Sequence, residues 1–348
     1  MSSAAGPVKR AANHTEARRI PAGAVLGGGA VLLLATMVFS MTKGASPAPL
    51  SQVLEALLHF EPGNRIHLVL VDLRLPRIIA SALVGAALAV AGAVMQGTTR
   101  NPLADSGLLG LNAGAGFAIS LCYAFFPGLG FRRMLLVSFA GAAMGAGLVG
   151  GAASLRRGGA TPMRLVLAGV SVSALLTALS QGIALYFNVA QDILFWTAGG
   201  VAGTGWQEIR IMLPWVAGGV IGALLLSPFI SLLSLGDDVA RGLGLNAPAI
   251  RFLCSLLVLV LAGAAVSVVG AVGFVGLMVP HLARYLTGQD YRRLIPVSAV
   301  LGAWLVVGAD VGARTLNPPF EAPLGALISL LGVPFFLYLA NRQRRRTS

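Results

Sequence analysis

The sequence predicts an all-α, polytopic membrane protein of about ten transmembrane helices, and three observations predict it. Of 348 residues, 56% are hydrophobic and 11% charged, against about 25% charged in soluble domains. The charges fall between long uncharged runs, most of them near the ~20 residues a helix needs to cross a bilayer. The 45 glycines lie within those runs and show no collagen-like period. Such a helix is poor in water, where each Gly costs about 1 kcal/mol relative to Ala. In lipid the backbone must satisfy itself, and small residues let helices approach closely.

In chain order, residues 1–19 are polar and basic. The uncharged run Ile20–Thr42 follows. It is too long for a signal-peptide core and no small-residue cleavage site follows it, so it is expected to be a retained first span. The further runs are Ile78–Thr99, Ser106–Phe131, Met134–Leu155, Leu165–Gln191, Ile211–Gly236, Phe252–Ala283, Leu294–Ala309 and Ala322–Asn341. Phe252–Ala283 is too long for one helix. Gly270, Gly273 and Gly276 with Pro280 predict a full helix that breaks and returns as a short one, which brings the count to ten. An even count puts both termini on one side.

The basic residues are 23 arginines with only Lys9 and Lys43. A net charge of +13 invites a nucleic-acid reading, but the arginines are scattered through short loops, which points to membrane orientation instead. With the N-terminus inside, 17 basic residues fall on inner segments and 8 on outer ones. Both termini are therefore expected in the cytoplasm. Cys122 and Cys254 both lie in apolar runs, so neither a disulfide framework nor a zinc site is expected.

One internal echo is visible. Leu83–Leu103 and Leu261–His281 align without gaps and share Gly85/Gly263, Val90/Val268, Gly92/Gly270 and Pro102/Pro280, among other positions. On the ten-helix count these are the second and seventh helices, oppositely oriented, as in an inverted five-helix repeat. Shared Ala/Gly/Val composition gives a similar echo.

Energy must come from elsewhere. A phosphate-binding loop needs Gly-Lys followed by Ser or Thr, and neither lysine follows a glycine. The twelve acidic residues read as loop or span-end residues, whereas ion-coupled transporters bury carboxylates in the membrane. Both observations favour an external motor, with a gradient-driven secondary transporter as the alternative and a channel or structural subunit behind it.

Two stretches carry candidate function. In Leu235–Leu245 (LGDDVARGLGL), Asp237 and Asp238 suit the first turn of a short helix and Arg241 its last, and Gly242 and Gly244 end it. The segment is either a docking element for a cytoplasmic partner or a solvated turn. The second stretch opens Arg74–Ala104. Arg74 and Arg77 are three apart near a helix N-terminus, where cations are disfavoured, and Pro76 suits the first turn. Asp72 could satisfy one of them, both could snorkel to headgroups, or an acidic partner could arrive from outside. Arg314 lies four residues after Asp310, and an intramolecular pair is the simplest reading there.

Arg74–Gly107, Leu235–Leu245, GAVGFVGLMVPHLAR (270–284), ADVGAR (309–314) and Glu321, Pro323 and Gly325 together resemble the FecCD family. These are the permeases of ATP-binding-cassette importers for iron-siderophores, haem and vitamin B12. The likeness covers about Ile20 to Arg342, with the vitamin B12 type as the nearest expected relative. It implies a cytoplasmic tail over 1–19, one permease domain over 20–342 and a basic tail over 343–348. It also implies a second permease subunit, identical or not, two ATPase subunits that hold ATP and Mg, and an extracytoplasmic substrate-binding protein. This chain is expected to bind no cofactor or metal of its own and no nucleic acid; lipid surrounds it. By the same likeness Arg74, Arg77 and Arg314 match docking arginines for glutamates of the binding protein. Leu235, Gly236, Asp237, Asp238, Ala240, Arg241, Gly242, Leu243 and Gly244 match the segment that couples to the ATPase. Thr161 and Pro162 match a cytoplasmic gate, although Pro162 departs from the polar residue expected and Ala322 from a larger aliphatic. The Pro-His signature carries His281 whatever the substrate, so a packing or backbone-bonding role is expected in preference to haem ligation. Ferric siderophore is the expected cargo.

Overall fold

In a computed structural model, residues 21–44, 47–154, 162–198, 200–318 and 320–347 are described. Helices account for nearly all of them, and the single bridge Asn317–Phe320 is the β-pairing among them. The order is α1 (Ala22–Thr42), α2 (Leu50–Leu58), α3 (Arg65–Leu68), a π-helical turn (Val69–Arg74), α4 (Leu75–Thr99), a 3₁₀ turn (Ser106–Leu109) and α5 (Leu111–Phe125). Next come α6 (Phe131–Ser154), α7 (Pro162–Tyr186), α8 (Ala190–Ala198), α9 (Trp206–Leu235), α10 (Asp237–Gly242) and α11 (Ala247–Val269). The last three are α12 (Val275–Thr287), α13 (Tyr291–Thr315) and α14 (Leu324–Thr347).

Seven segments among the described residues are long and apolar enough to span a membrane: Ala22–Thr42, Arg65–Thr99, Arg132–Ser154, Arg164–Tyr186, Trp206–Leu235, Ala247–Val269 and Tyr291–Thr315. Leu111–Phe125 and Leu324–Tyr338 are apolar but shorter. The expected span at Ser106–Phe131 is thus cut at both ends. It starts with a 3₁₀ turn, reverses at Gly110 (φ 72°) and ends at Phe125. The span expected at Ile78–Thr99 is longer than predicted, because helical backbone begins at Arg65.

α4 is the centre of the bundle. Every residue from Ala87 to Thr98 is buried, so this helix has no solvent or lipid face over that length, and its uniform apolarity needs no amphipathic stripe. Its small residues set the spacing. A Cβ on Gly85 would stand 2.1 Å from the Gly302 carbonyl oxygen of α13, and one on Gly92 would stand 2.0 Å from that of Gly276 in α12. Only glycine permits such backbone contact. α1 differs: only Gly29, Ser40 and Met41 are buried, and it lies along α13, where Trp304 Nε1 donates to Thr36 Oγ1 at 3.2 Å.

The π-helical turn has a local cause. Proline at position 76 lacks an N–H, and in a regular α-helix its ring would meet the carbonyl of Asp72. The backbone opens instead, and Leu75 N–H reaches back five residues to Leu70 O. Pro76 therefore shapes a widened turn just upstream and does not simply begin the helix.

The echo holds in sequence but parts in structure. Gly92 sits inside continuous α4, whereas its counterpart Gly270 takes φ 72°, ψ −158° and ends α11. The expected break and short return are present as α11, residues 270–274 and α12. α4 and α11 run in opposite directions, because Arg100 just after α4 and Arg251 in the first turns of α11 reach the same carboxylate, Asp237.

Candidate functional site

The three arginines of interest do converge at one end of the bundle, where the π turn meets the ends of α1 and α13, but they are buried there. Arg74, Arg77 and Arg314 are 7%, 9% and 8% exposed. Long-range partners hold them. Arg77 Nε and Nη2 donate to Asp310 Oδ1 at 2.9 and 2.8 Å. Its Nη1 and Nη2 donate to Glu321 Oε1 and Oε2 at 2.7 and 3.0 Å. One planar guanidinium thus presents one edge to each of two carboxylates, a geometry lysine cannot supply. Arg314 Nη2 lies 3.1 Å from Asp310 Oδ2, so Asp310 is shared between two arginines. The carboxylate partners of Arg77 thus lie 233 and 244 residues further along the chain than Arg77 itself.

Arg74 and Arg314 also close the end of α1. Arg74 Nη1 donates to Met41 O at 2.7 Å, Arg314 Nη1 donates to Lys43 O at 3.2 Å, and Arg314 Nη2 donates to Ser40 Oγ. The last carbonyls of a helix have no partner within it and carry partial negative charge. α1 has no basic residue in its own last turn, and two arginines from elsewhere serve instead. The expectation that all acidic residues lie in loops or at span ends is corrected for Asp310. It sits within α13, which runs on to Thr315, and its side chain is 1% exposed. It is buried because two guanidiniums accompany it; a lone buried carboxylate would cost several kcal/mol.

Trp206 also ties elements together: its Nε1 donates to Val71 O of the π turn at 3.1 Å.

At the opposite end the predicted short helix is present as α10, Asp237–Gly242, between α9 and α11. Asp237 accepts from Arg251 at 2.5 Å and pairs with Arg100 at 3.2 Å. The Arg251 hydrogen bond, reinforced by the charges of Arg251, Arg100 and Arg241, holds the Asp237 carboxyl below the usual range. Ala240 packs with Leu233 and Ala247 beneath the turn. Leu235, Val239 and Leu243, four residues apart in succession, are turned outward; Leu235 and Leu243 are 66% and 65% exposed. Of these only Val239 was absent from the sequence assignment, and the four-residue spacing was the available signal.

Between the two ends, polar contacts fasten α12 to α4. Gln96 Nε2 donates to Gly276 O at 3.0 Å, and Arg284 donates to Gln96 Oε1. His281 Nε2 donates to Pro102 O at 2.7 Å, so its ring is committed to the backbone role expected of it. The Asp105 carboxylate faces the start of α12, where a Cβ on Gly276 would stand 2.9 Å from its Oδ1, just after Phe274, whose φ is 66°. Asp105, Gln96 and Arg284 were not singled out from sequence. A glutamine inside an otherwise uncharged run, and an arginine three residues from His281, were the signals. Of the expected gate residues, Thr161 lies outside the described residues and Pro162 is the first residue of α7. No group of three or more His, Cys, Asp or Glu able to hold a metal ion occurs among the described residues.

Comparison with known proteins agrees with this architecture. The model of the FecCD transport family matches residues 32–342. The chain is 50% identical over 321 residues to the iron(3+)-hydroxamate import system permease protein FhuB of Bacillus subtilis (strain 168), covering 92% of this chain and 84% of that protein. It is 39% identical over 316 residues to the ferric enterobactin transport system permease protein FepD of Escherichia coli (strain K12), covering 90% and 94%. Among solved structures, one assigned to the metal-chelate type of ATP-binding-cassette transporter, in an inward-facing conformation, superposes with a TM-score of 0.80 at 29% identity, covering 92% of this chain and 99% of that one. Both named relatives take ferric chelates; a vitamin B12 specificity finds no support in them. The family model spans most of the chain and relatives at 50% and 39% identity cover nearly all of it, so the chain belongs to the FecCD transport family as the permease subunit of an ATP-binding-cassette importer.

Proposed function

We propose that this chain is the membrane-spanning subunit of an ATP-driven importer for a ferric siderophore, of the hydroxamate class named for its Bacillus subtilis relative. The observation that carries the reading is the exposed trio Leu235, Val239 and Leu243, at the end of α9, on α10 and just after it. Three large apolar side chains stand in water at a turn between two spanning helices, while the charges beside them are engaged with one another. Such a ridge fits a groove on a second protein. The partner is the ATPase subunit of the importer, present twice in the assembly and binding the ATP and Mg that this chain does not. A second permease subunit, identical or related, completes the pathway, with ten helices in each, α11 and α12 counting separately, arranged as an inverted repeat with both termini in the cytoplasm. Pro162, the first residue of α7, and Thr161, which precedes it in sequence, are assigned to the gate on that side.

On the outer side, Arg74, Arg77 and Arg314 receive the substrate-binding protein through its glutamates. Three arginines against Asp310 and Glu321 leave these five side chains one positive charge in excess, which favours an acidic visitor. The test is uptake of iron-labelled ferric hydroxamate into proteoliposomes holding the permease, with and without its ATPase and binding protein. Accumulation only when ATP and both partners are present is expected. Accumulation that persists without the ATPase and collapses with an uncoupler would overturn the reading.

A further inference from the structure

The two carboxylates on Arg77 are not equivalent. Asp310 comes from within α13, is 1% exposed and is shared with Arg314. Glu321 comes from the short connection between α13 and α14, its side chain is 41% exposed, and Arg77 is the ion-pair partner the structure gives it. Each takes one edge of the guanidinium: Asp310 the Nε–Nη2 edge and Glu321 the Nη1–Nη2 edge. The guanidinium carries five N–H groups in one plane, and the two edges that can take a carboxylate side-on are both filled. An arriving carboxylate finds no open edge.

We infer that Glu321 is an internal stand-in for a carboxylate of the docking protein, and that docking proceeds by exchange at the Nη1–Nη2 edge of Arg77. The inference rests on the docking role proposed above. Burial decides which carboxylate leaves. Release of Asp310 would strand a buried carboxylate between two buried guanidiniums, whereas Glu321 is already partly in water and regains its hydration on leaving. The two events offset each other: one bidentate pair is lost and an equivalent one gained. The exchange keeps Arg77 neutralised in the resting permease and leaves Asp310 as the fixed anchor that aims it. The face so defined takes a protruding carboxylate, glutamate in preference to a shorter side chain, since it must reach the position Glu321 occupies.

The inference predicts opposite signs for two neighbouring substitutions. Permease assembled with its ATPase in nanodiscs is titrated with the importer's own substrate-binding protein at low salt. Glu321→Gln should tighten binding about two- to fivefold, the scale of one partly exposed ion pair. Glu321→Asp, one methylene too short to span the same edge, should change it in the same direction and by less. Arg77→Gln should weaken binding. If both Glu321 variants leave affinity unchanged or lower it while Arg77→Gln weakens it, Glu321 positions Arg77 and does not compete for it; the exchange is then wrong and the docking role stands. If Arg77→Gln has no effect, the docking role fails and the exchange falls with it, whatever the Glu321 variants do. Thermal unfolding of each assembled variant guards against misfolding, and Glu321→Asp carries the test should Glu321→Gln prove unstable.

Discussion

At the end of the bundle where α4 begins, ionisable side chains are turned inward: Arg74, Arg77, Arg314 and Asp310 are all buried. At the opposite end Leu235, Val239 and Leu243, on and flanking α10, are turned outward beside the exposed Asp238 and Arg241, while Asp237, Arg251 and Arg100 pair next to them at the surface. The usual assignment of charge to surface and apolar groups to core is broken by the charges at one end and by the apolar groups at the other. In the first region the charges are structural because several groups share them: Asp310 serves two arginines, and two arginines close α1. In the second the apolar groups are exposed, and on the proposed reading their cover is the ATPase subunit. Charge alone therefore does not mark an interface in this molecule. The interfaces proposed above rest instead on exposed apolar side chains at one end and on the half-exposed Glu321 at the other.

The largest effect that separates the two regions is expected from Asp310→Ala. Removing the shared carboxylate leaves Arg77 and Arg314 buried with one counter-charge between them, a loss on the order of 3–5 kcal/mol. Thermal unfolding in detergent should show a drop of many degrees, together with looser attachment of α1, read as faster proteolysis of the N-terminal segment. A variant as stable as the parent would mean that the arginine end is held by packing and not by charge.

The counterpart at the other end is Leu243→Glu combined with Leu235→Glu. Both side chains are exposed, so the isolated permease should unfold where the parent does. Affinity for the ATPase should fall on the order of 30-fold or more, the scale of losing central apolar contacts at about 2 kcal/mol. Co-purification measures the second and a melting curve the first. Loss of stability with ATPase binding intact would show the ridge to be part of the fold.

A smaller effect tests the tie between the regions, since α9 begins beside the π turn and ends at α10. Trp206→Phe keeps the ring packing and removes the donor to Val71 O, a loss of about 0.5–1.5 kcal/mol. Hydrogen exchange at residues 69–75 should rise. No change there would detach Trp206 from the π turn.

Much of this was legible in the sequence, for physical reasons particular to each element. α4 is written in its composition, because a helix that touches neighbours on all sides through glycine must be small and uncharged throughout. The break at Gly270 was legible because a run too long for one span carries Gly270, Gly273, Gly276 and Pro280 within it. The α10 turn was legible from its capping residues. The partners of Arg77 were not. Local rules reach three or four residues along a helix and so found Asp310 beside Arg314, but for Arg74 and Arg77 they reached only Asp72 and not the carboxylates more than 200 residues distant that hold Arg77. The π turn was missed for a related reason: Pro76 was read for what it permits downstream, not for what it forbids at the carbonyl of Asp72. Glu321 was visible only as one letter of a motif, since nothing near it in sequence shows that it closes one edge of a guanidinium.

The smallest effect is expected at Asp237, and its pH dependence sets it apart from the arginine end. Asp237 is a surface carboxylate whose partners lie partly in water, so Asp237→Asn should cost only about 0.2–1 kcal/mol at neutral pH. Its pKa is lowered by Arg251 first and by the charges of Arg251, Arg100 and Arg241 after it. A lowered carboxylate contributes in full above its unfolded value of about 4 and loses that contribution as pH falls through the lower folded value. The stability gap between parent and Asp237→Asn should therefore stay constant from about pH 8 to pH 5 and close only below about pH 4. It should also shrink with added salt, because the pairs are exposed, whereas the effect of Asp310→Ala should survive the same salt. Melting curves of both variants across pH and salt make the distinction. A gap at Asp237 that resists salt as well as the one at Asp310 does would mean the α10 charges are as enclosed as those around Arg77, and the contrast between the two ends would be lost.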